Sequence, residues 1–546
     1  MSEQLLLAWI ERSGRKPFGF GLPGSRCPAL LLVVLLIVMY EAAIANPASA
    51  QQPVPSRSLA RSYVASAQKA LAAGDGATAL EELNQAVKAD STYAEAFLLL
   101  GLTEFQRGET VKSIEHYQRA LELEPHSYSG HYDLALAYLR EQRMQDGRAQ
   151  LEQAVKLDPN QIDATYNLGI VLLDLGRPLE ALPHLSRARR LSPRRPDITF
   201  NIVRAELEAG RASVARGEAQ VAARYLGSDF RWSTAIGLLF LKNAQPQDAA
   251  VYLRQASLLH PNDDEIRHQL AMAYLDSRDP KQVLDLIKEP KTGDDHYLCG
   301  SAYYLDHRFS EADQESELAL AMTPDNPQVL ILRTRVLQRA GQQDGALELA
   351  QKAVSLAPTW DEPYYVAGVS LYFIRRYAEA AQNLARAVEL NPSSARALFL
   401  EAIALANQGK REEAEQCLRR AISLQPKNAR FHCHLGIVLM RENEYSKAEG
   451  CFRKAIELTP NYALSHYELG KLLVYSRQLN AAVQELSQAV KDDPGLSSAY
   501  YQLARLYAEL GQTEKSKRML ADFERLYQRQ TSDSQGLDDD ARKETE

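Results

Sequence analysis

Apolar, helix-like runs recur along this chain, and prolines close them at Pro125, Pro159, Pro193, Pro261, Pro324, Pro358, Pro392, Pro426, Pro460 and Pro494. Successive prolines stand 34, 34, 68 and 63 residues apart, and then 34 apart five times. Sixty-eight is two periods with one proline missing, and 63 is two periods with five residues lost. Small residues keep the same beat. Alanine stands five before every one of these prolines, from Ala120 to Ala489. Twelve before stand Ser113, Gly147 and eight alanines, and twenty-four before stand only Gly, Ala or, once, Thr334. A fixed period of this kind marks stacked supersecondary units.

The spacing predicts helix, short turn, helix and short loop in each period. Small side chains at fixed places let two antiparallel helices approach closely, while leucines and aromatics fill the flanks. Gly74, Gly108, Gly176, Gly210, Gly341, Gly409 and Gly511 fall between the two helices, where a glycine ends the first one in a left-handed cap. The proline cannot continue a helix and suits the loop or first turn that follows. Fourteen units follow, beginning near 60, 94, 128, 162, 196, 230, 264, 293, 327, 361, 395, 429, 463 and 497. Residues 60–195 and 293–530 read as regular. Residues 196–292 read as irregular: the unit from 196 is degenerate and the unit from 264 is short, with Pro280 and Pro290 in its second half. That pair is expected to change the local curvature. The linker 51–59, rich in Gln, Pro and Ser, and the polar tail 531–546 read as disordered.

This pattern resembles the tetratricopeptide repeat (TPR) family over about residues 60–530. The resemblance implies an all-α fold, an α-solenoid of about fourteen TPR helical hairpins forming a right-handed superhelix. It also implies an inner wall made by the first helix of each unit. A chain of 546 residues would otherwise suggest several globular domains, but repeat proteins grow in one dimension. Hydrophobic residues at 45% suffice for such a core, and a net charge of −7 lacks the basic footprint of a nucleic-acid partner.

Residues 1–50 differ from the rest. Arg12, Arg15, Lys16 and Arg26 precede an apolar run from Ala29 to Met39, and Pro47-Ala48-Ser49-Ala50 closes the segment. Charge, apolar core and A-x-A ending describe a secretory signal peptide. The run is shorter than the ~20 residues of a spanning helix, and Glu41 interrupts its extension. The leader is long, however, and contains Glu3 and Glu11, so the segment reads either as a cleaved signal or as a retained N-terminal anchor. Cleavage near Ala50 would make the protein periplasmic or secreted; retention would associate it with the membrane through residues 29–40. Cys27 would leave with a cleaved signal, and Cys299, Cys417, Cys433 and Cys451 are expected to be small buried hydrophobes, not disulfide partners.

One position faces the groove in TPR relatives, twenty-seven residues before each proline. It holds Tyr132, Tyr166, Tyr297, Tyr365, Phe399 and Tyr467, and its equivalents in units without a ladder proline are Phe200 and Tyr501. Such rings either pad the seam between successive first helices or also contact a bound peptide. Relatives that clamp a C-terminal carboxylate use Lys, Asn and Arg there, whereas Leu98, Tyr132 and Tyr166 stand here. Asn167 and Asn201, with Asp133 before them, form a short version of the inward asparagine ladder that holds peptide backbone in other relatives. Arg187, Arg189, Arg190, Arg194 and Arg195 complement a helix C-terminus or form an anionic docking patch. His432, Cys433 and His434 point apart around a helix and cannot converge on a metal. No catalytic, cofactor or metal motif is found. The expectation is a non-enzymatic scaffold of the bacterial cell envelope that binds protein or peptide partners along its groove. The alternative is an accessory subunit of an envelope assembly, polysaccharide-export or pilus complex, working through its convex face.

Overall fold

The computed structural model describes residues 55–532, in which the chain forms 28 helices and no strand. The expected leader, the apolar run at 29–40 and the tail beyond residue 532 lie outside the described residues. Two compact units divide at Ser277/Arg278. The first contains helical hairpins over residues 55–89, 94–123, 128–157, 162–191, 196–226 and 230–259, then the helix Asp264–Asp276. The second opens with the short helix Pro280–Leu286 and continues through hairpins over 293–322, 327–356, 361–390, 395–424, 429–458, 463–492 and 497–532.

Close approach explains the small residues. A Cβ built on Gly169 would lie 2.6 Å from Leu185, one on Gly368 2.6 Å from Leu384, and one on Gly436 2.5 Å from Phe452. Each glycine therefore admits the large side chain of its own second helix. The alanines five before the prolines, such as Ala188, Ala387 and Ala455, are buried where that helix meets its neighbours.

Every corner between the helices of a period is left-handed. The seven glycines expected there have φ between 70° and 85°. At the equivalent corners Gln142, Ala244, Arg278, His307, Arg375, Asn443 and Arg477 adopt φ between 54° and 64°. The backbone geometry belongs to the repeat, and glycine is only its least costly occupant.

A second recurring device ties four of the loops to the helix that follows. His131, His432 and His466 donate from Nε2 to the carbonyls of Pro125, Pro426 and Pro460, at 3.0, 3.0 and 2.9 Å. The Tyr364 hydroxyl donates to Pro358 in the same way. The donor always stands six residues after the proline.

Three sequence boundaries need correction. The linker expected through residue 59 is shorter, because a helix starts at Pro55, and Ala60, Val64 and Ala67 on it are buried. The final helix runs through Ser532, slightly into the expected tail. The unit from 196 is degenerate in sequence, with Gly227 for its proline and Val203 at a small-residue place, yet it forms a complete hairpin and keeps buried Ala215 and Ala222. A Cβ at Gly227 would meet the Ala223 carbonyl at 2.4 Å. The true irregularity is the seven-residue helix Pro280–Leu286, started by Pro280 under an Asp279 cap. Cys299, Cys417 and Cys433 are buried and Cys451 partly so, and all four are free thiols. Burial pushes Cys299 and Cys417 up to about 12.

Candidate interaction surface

The aromatic position lies on the first helices, but its occupants differ in depth. Phe399 is fully buried, 5.0 Å from both the Phe431 and His434 rings. Tyr166 and Tyr365 are buried, Tyr132, Phe200, Tyr297 and Tyr467 are partly exposed, and Tyr501 is 41% exposed. Seam packing therefore accounts for Phe399, Tyr166 and Tyr365, while the others keep surface on the wall.

The two asparagines serve these rings. Asn167 Nδ2 donates to the Tyr132 hydroxyl at 3.1 Å, and Asn201 Nδ2 donates to the Tyr166 hydroxyl at 3.0 Å. Asn201 also donates to the Asp197 carbonyl and is buried. Each thus spends an amide proton on a tyrosine hydroxyl of the preceding unit. Burial pushes both phenols well above their ordinary range, which keeps them neutral.

Arginines cover the buried tyrosines. Arg195 lies over Tyr166, 4.9 Å from the ring centroid, and Arg396 lies 4.3 Å from that of Tyr365. Lys471 stands 5.0 Å from the Tyr467 centroid. Arg195 pairs with Asp197, and Glu362 pairs with both Arg335 and Arg396. Burial raises the Asp197 carboxyl, but the hydrogen bond and charge of Arg195 outweigh it and hold the group below its usual range.

Within the arginine cluster, Arg189 pairs with Glu218 and Arg195 with Asp197. His432 is spent on the Pro426 carbonyl, Cys433 is buried and His434 packs on Phe399. Among the described residues no group of three or more His, Cys, Asp or Glu side chains could hold a metal, and no helix is long and apolar enough to cross a membrane. Sequence reasoning missed the arginines over the rings and the proline-carbonyl donors. The second signal was available, as a His or Tyr six residues after a ladder proline.

Family models agree with this geometry. One described as tetratricopeptide repeat matches residues 132–196, 166–229, 365–410 and 399–463; another of that description matches 473–536, and a TPR repeat model matches 101–142. Among curated proteins, the Hsp70-Hsp90 organizing protein of Triticum aestivum is 25% identical over 173 residues, which is 32% of this chain and 29% of that protein. The chain thus matches less than a third of that relative's length. Among solved structures, the APC/C hetero-tetramer Cut9-Hcn1 is 14% identical over 82% of this chain and 98% of that one, with a TM-score of 0.44. YrrB, a TPR protein with an unusual peptide-binding site, is 19% identical over 34% of this chain and 96% of its own, with a TM-score of 0.31. On the matches to its repeats and on the hairpins that those repeats build, the chain belongs to the tetratricopeptide repeat family.

Proposed function

We propose that this protein is a non-enzymatic interaction scaffold of the bacterial cell envelope, holding partner peptides along the wall formed by its first helices. One observation carries the reading: a single repeat position holds Tyr or Phe in eight of the fourteen units, and Tyr132, Tyr297, Tyr467 and Tyr501 keep accessible surface there. Tyrosines bury large area at low entropic cost, and hydrogen bonds such as that from Asn167 to Tyr132 orient the ring before a ligand arrives. The scaffold role also suits a relative named as an organizer of two other proteins. The envelope assignment draws on the basic leader, the apolar run and the Ala48-Ser49-Ala50 ending.

A second reading has its own observation. The second helices of two neighbouring hairpins expose apolar side chains: Val214, Val221 and Tyr225 on one, and Val251 and Leu258 on the other, up to 76% exposed at Leu258. That face suits a structural subunit of a larger assembly. A photo-crosslinking residue placed in the full chain at Tyr467 or Tyr501, and separately at Val221 or Leu258, decides between the two. Adducts from the first pair support the peptide wall, and adducts from the second pair alone overturn it. The same cells, fractionated, show whether the protein leaves the cytoplasm; a protein confined to the cytoplasm would sink the envelope assignment.

A further inference from the structure

Asp133 follows Tyr132 as Asn167 follows Tyr166 and Asn201 follows Phe200, so these three residues occupy equivalent places on successive first helices. Asn167 and Asn201 each reach back 35 residues to a tyrosine hydroxyl. The same step back from Asp133 arrives at Leu98, which has no hydroxyl to offer. Leu98 packs beside Gly130, one turn before Asp133, and a Cβ on Gly130 would lie 3.4 Å from it. Among the described residues Asp133 has neither a hydrogen bond nor an ion pair. The arginine on its own helix is committed elsewhere: Arg140 donates to the Phe105 carbonyl at 2.6 Å and lies 3.7 Å from the centroid of that ring. Tyr117, Tyr128 and Tyr132 stand close enough to feel the Asp133 charge, and all are neutral phenols.

A carboxylate packed among aromatic and aliphatic groups with no partner is costly to ionise. Burial alone pushes Asp133 up to about 7. The residue nevertheless keeps some accessible surface on the first-helix wall. Tyr128 and Tyr132 stack on the same helix with centroids 5.9 Å apart, and such faces attract a cation.

We propose that Asp133 is the anchor for a cationic side chain, lysine or arginine, of a peptide bound along the first-helix wall. This rests on the peptide-wall reading above and adds the charge of the ligand. An incoming ammonium or guanidinium supplies the missing partner, and its aliphatic stem covers Tyr132. Binding the cation expels the proton that Asp133 holds near neutrality, so affinity rises with pH. The titratable and charged groups around it are Tyr128, His131, Tyr132 and Arg140 on its own helix, Glu104, His116 and Tyr117 from the preceding hairpin, and Asp163 from the next. His116 is paired with Glu104 and His131 with Gln150 and the Pro125 carbonyl, so Asp133 is the group left without a partner.

The test applies the full chain, wild type and Asp133→Asn, to an array of short peptides in basic, acidic and uncharged sets. The wild type should prefer peptides with a lysine or arginine at one position, and replacing that residue by glutamine should cost about tenfold. In Asp133→Asn the same replacement should cost little, and wild-type affinity for the basic peptides should rise between about pH 6 and pH 8 while that of the variant stays level. Lysine and arginine versions of one peptide separate the two cation sources. Thermal melts of both proteins establish that the variant is folded. Capture of peptides without a basic preference, or an unchanged preference in Asp133→Asn, overturns the anchor and leaves the wall standing. Failure to capture any peptide overturns both.

Discussion

The seam at Tyr166 in the first unit and the seam at Tyr365 in the second use the same parts in different arrangements. Each buried ring lies under an arginine, Arg195 in one and Arg396 in the other. The carboxylates differ. Asp197 takes Arg195, two residues away, and the hydroxyl of Tyr166 from the period before it, while Arg195 also reaches Asp163 of that earlier period, so this group ties two periods. Glu362 takes Arg335 from the period before it and Arg396 from the period after it, so one carboxylate ties three periods together. The stability of a stack is close to a sum of unit and interface terms. The Asp197 group therefore strengthens one interface, and the Glu362 bridge couples two.

The comparison can be broken most severely at Phe399, which is completely buried between Tyr365's period and Phe431. Phe399→Ala should cost about 3–5 kcal/mol in urea denaturation of the second unit. Glu362→Ala comes next, because it strands two arginines. After discounting for their partial exposure it should cost about 1–3 kcal/mol, and hydrogen exchange should quicken in the helices carrying Arg335 and Arg396. Asp197→Ala should cost about 1 kcal/mol and loosen no period beyond that of Tyr166; spreading to both sides, as from Glu362→Ala, would abolish the distinction. Asn201→Ala, which leaves the buried Tyr166 hydroxyl without its donor, should cost about 1–2 kcal/mol.

The smallest effects concern pH and sharpen the contrast between units. His131 lies between the Pro125 carbonyl and the Gln150 amide oxygen, two uncharged partners. His466 lies between the Pro460 carbonyl and the Glu485 carboxylate, both acceptors, and needs two N–H groups. Burial opposes its protonation, but those hydrogen bonds and the charges of Glu485 and Asp492 outweigh it and raise the group above 6.5. Its contribution is complete below that ordinary value and is lost as pH rises through the higher folded one. Asp197 runs the other way, contributing above its ordinary value of 3.8 and losing the contribution as pH falls through the depressed one. Glu485→Gln should remove about 1 kcal/mol of the pH-dependent stability of the second unit between about pH 6 and 8. A melting profile unchanged by that substitution would show that His466 is neutral.

The periodic part of the fold was legible because close packing leaves a mark at every repeat. Gly169, Gly368 and Gly436 sit where a Cβ would collide with Leu185, Leu384 and Phe452. The seven left-handed glycines were readable for a different reason, their positive φ, although the seven non-glycine corners were not, since Arg375 or Asn443 can adopt that φ without showing it in the sequence. The aromatic position was also legible, but not its depth. Whether a ring is covered depends on what the next period brings, such as Arg396 over Tyr365 or Phe431 against Phe399, and those partners lie about one repeat away. Asn167 and Asn201 were visible as a ladder, but which way their amides point was decided by Tyr132 and Tyr166, one period earlier.

The seven-residue helix Pro280–Leu286 has a consequence for how long the molecule lasts once damaged. In a stack, unfolding spreads from one period to the next through the interface they share. A shortened second helix shares less interface, and the non-helical stretch after it exposes Lys288, Glu289 and Lys291 to solvent. A trypsin-like protease should therefore cut there before it cuts elsewhere, just inside the start of the second unit. The first nick would then fall at one place in molecule after molecule, and not at random along the stack.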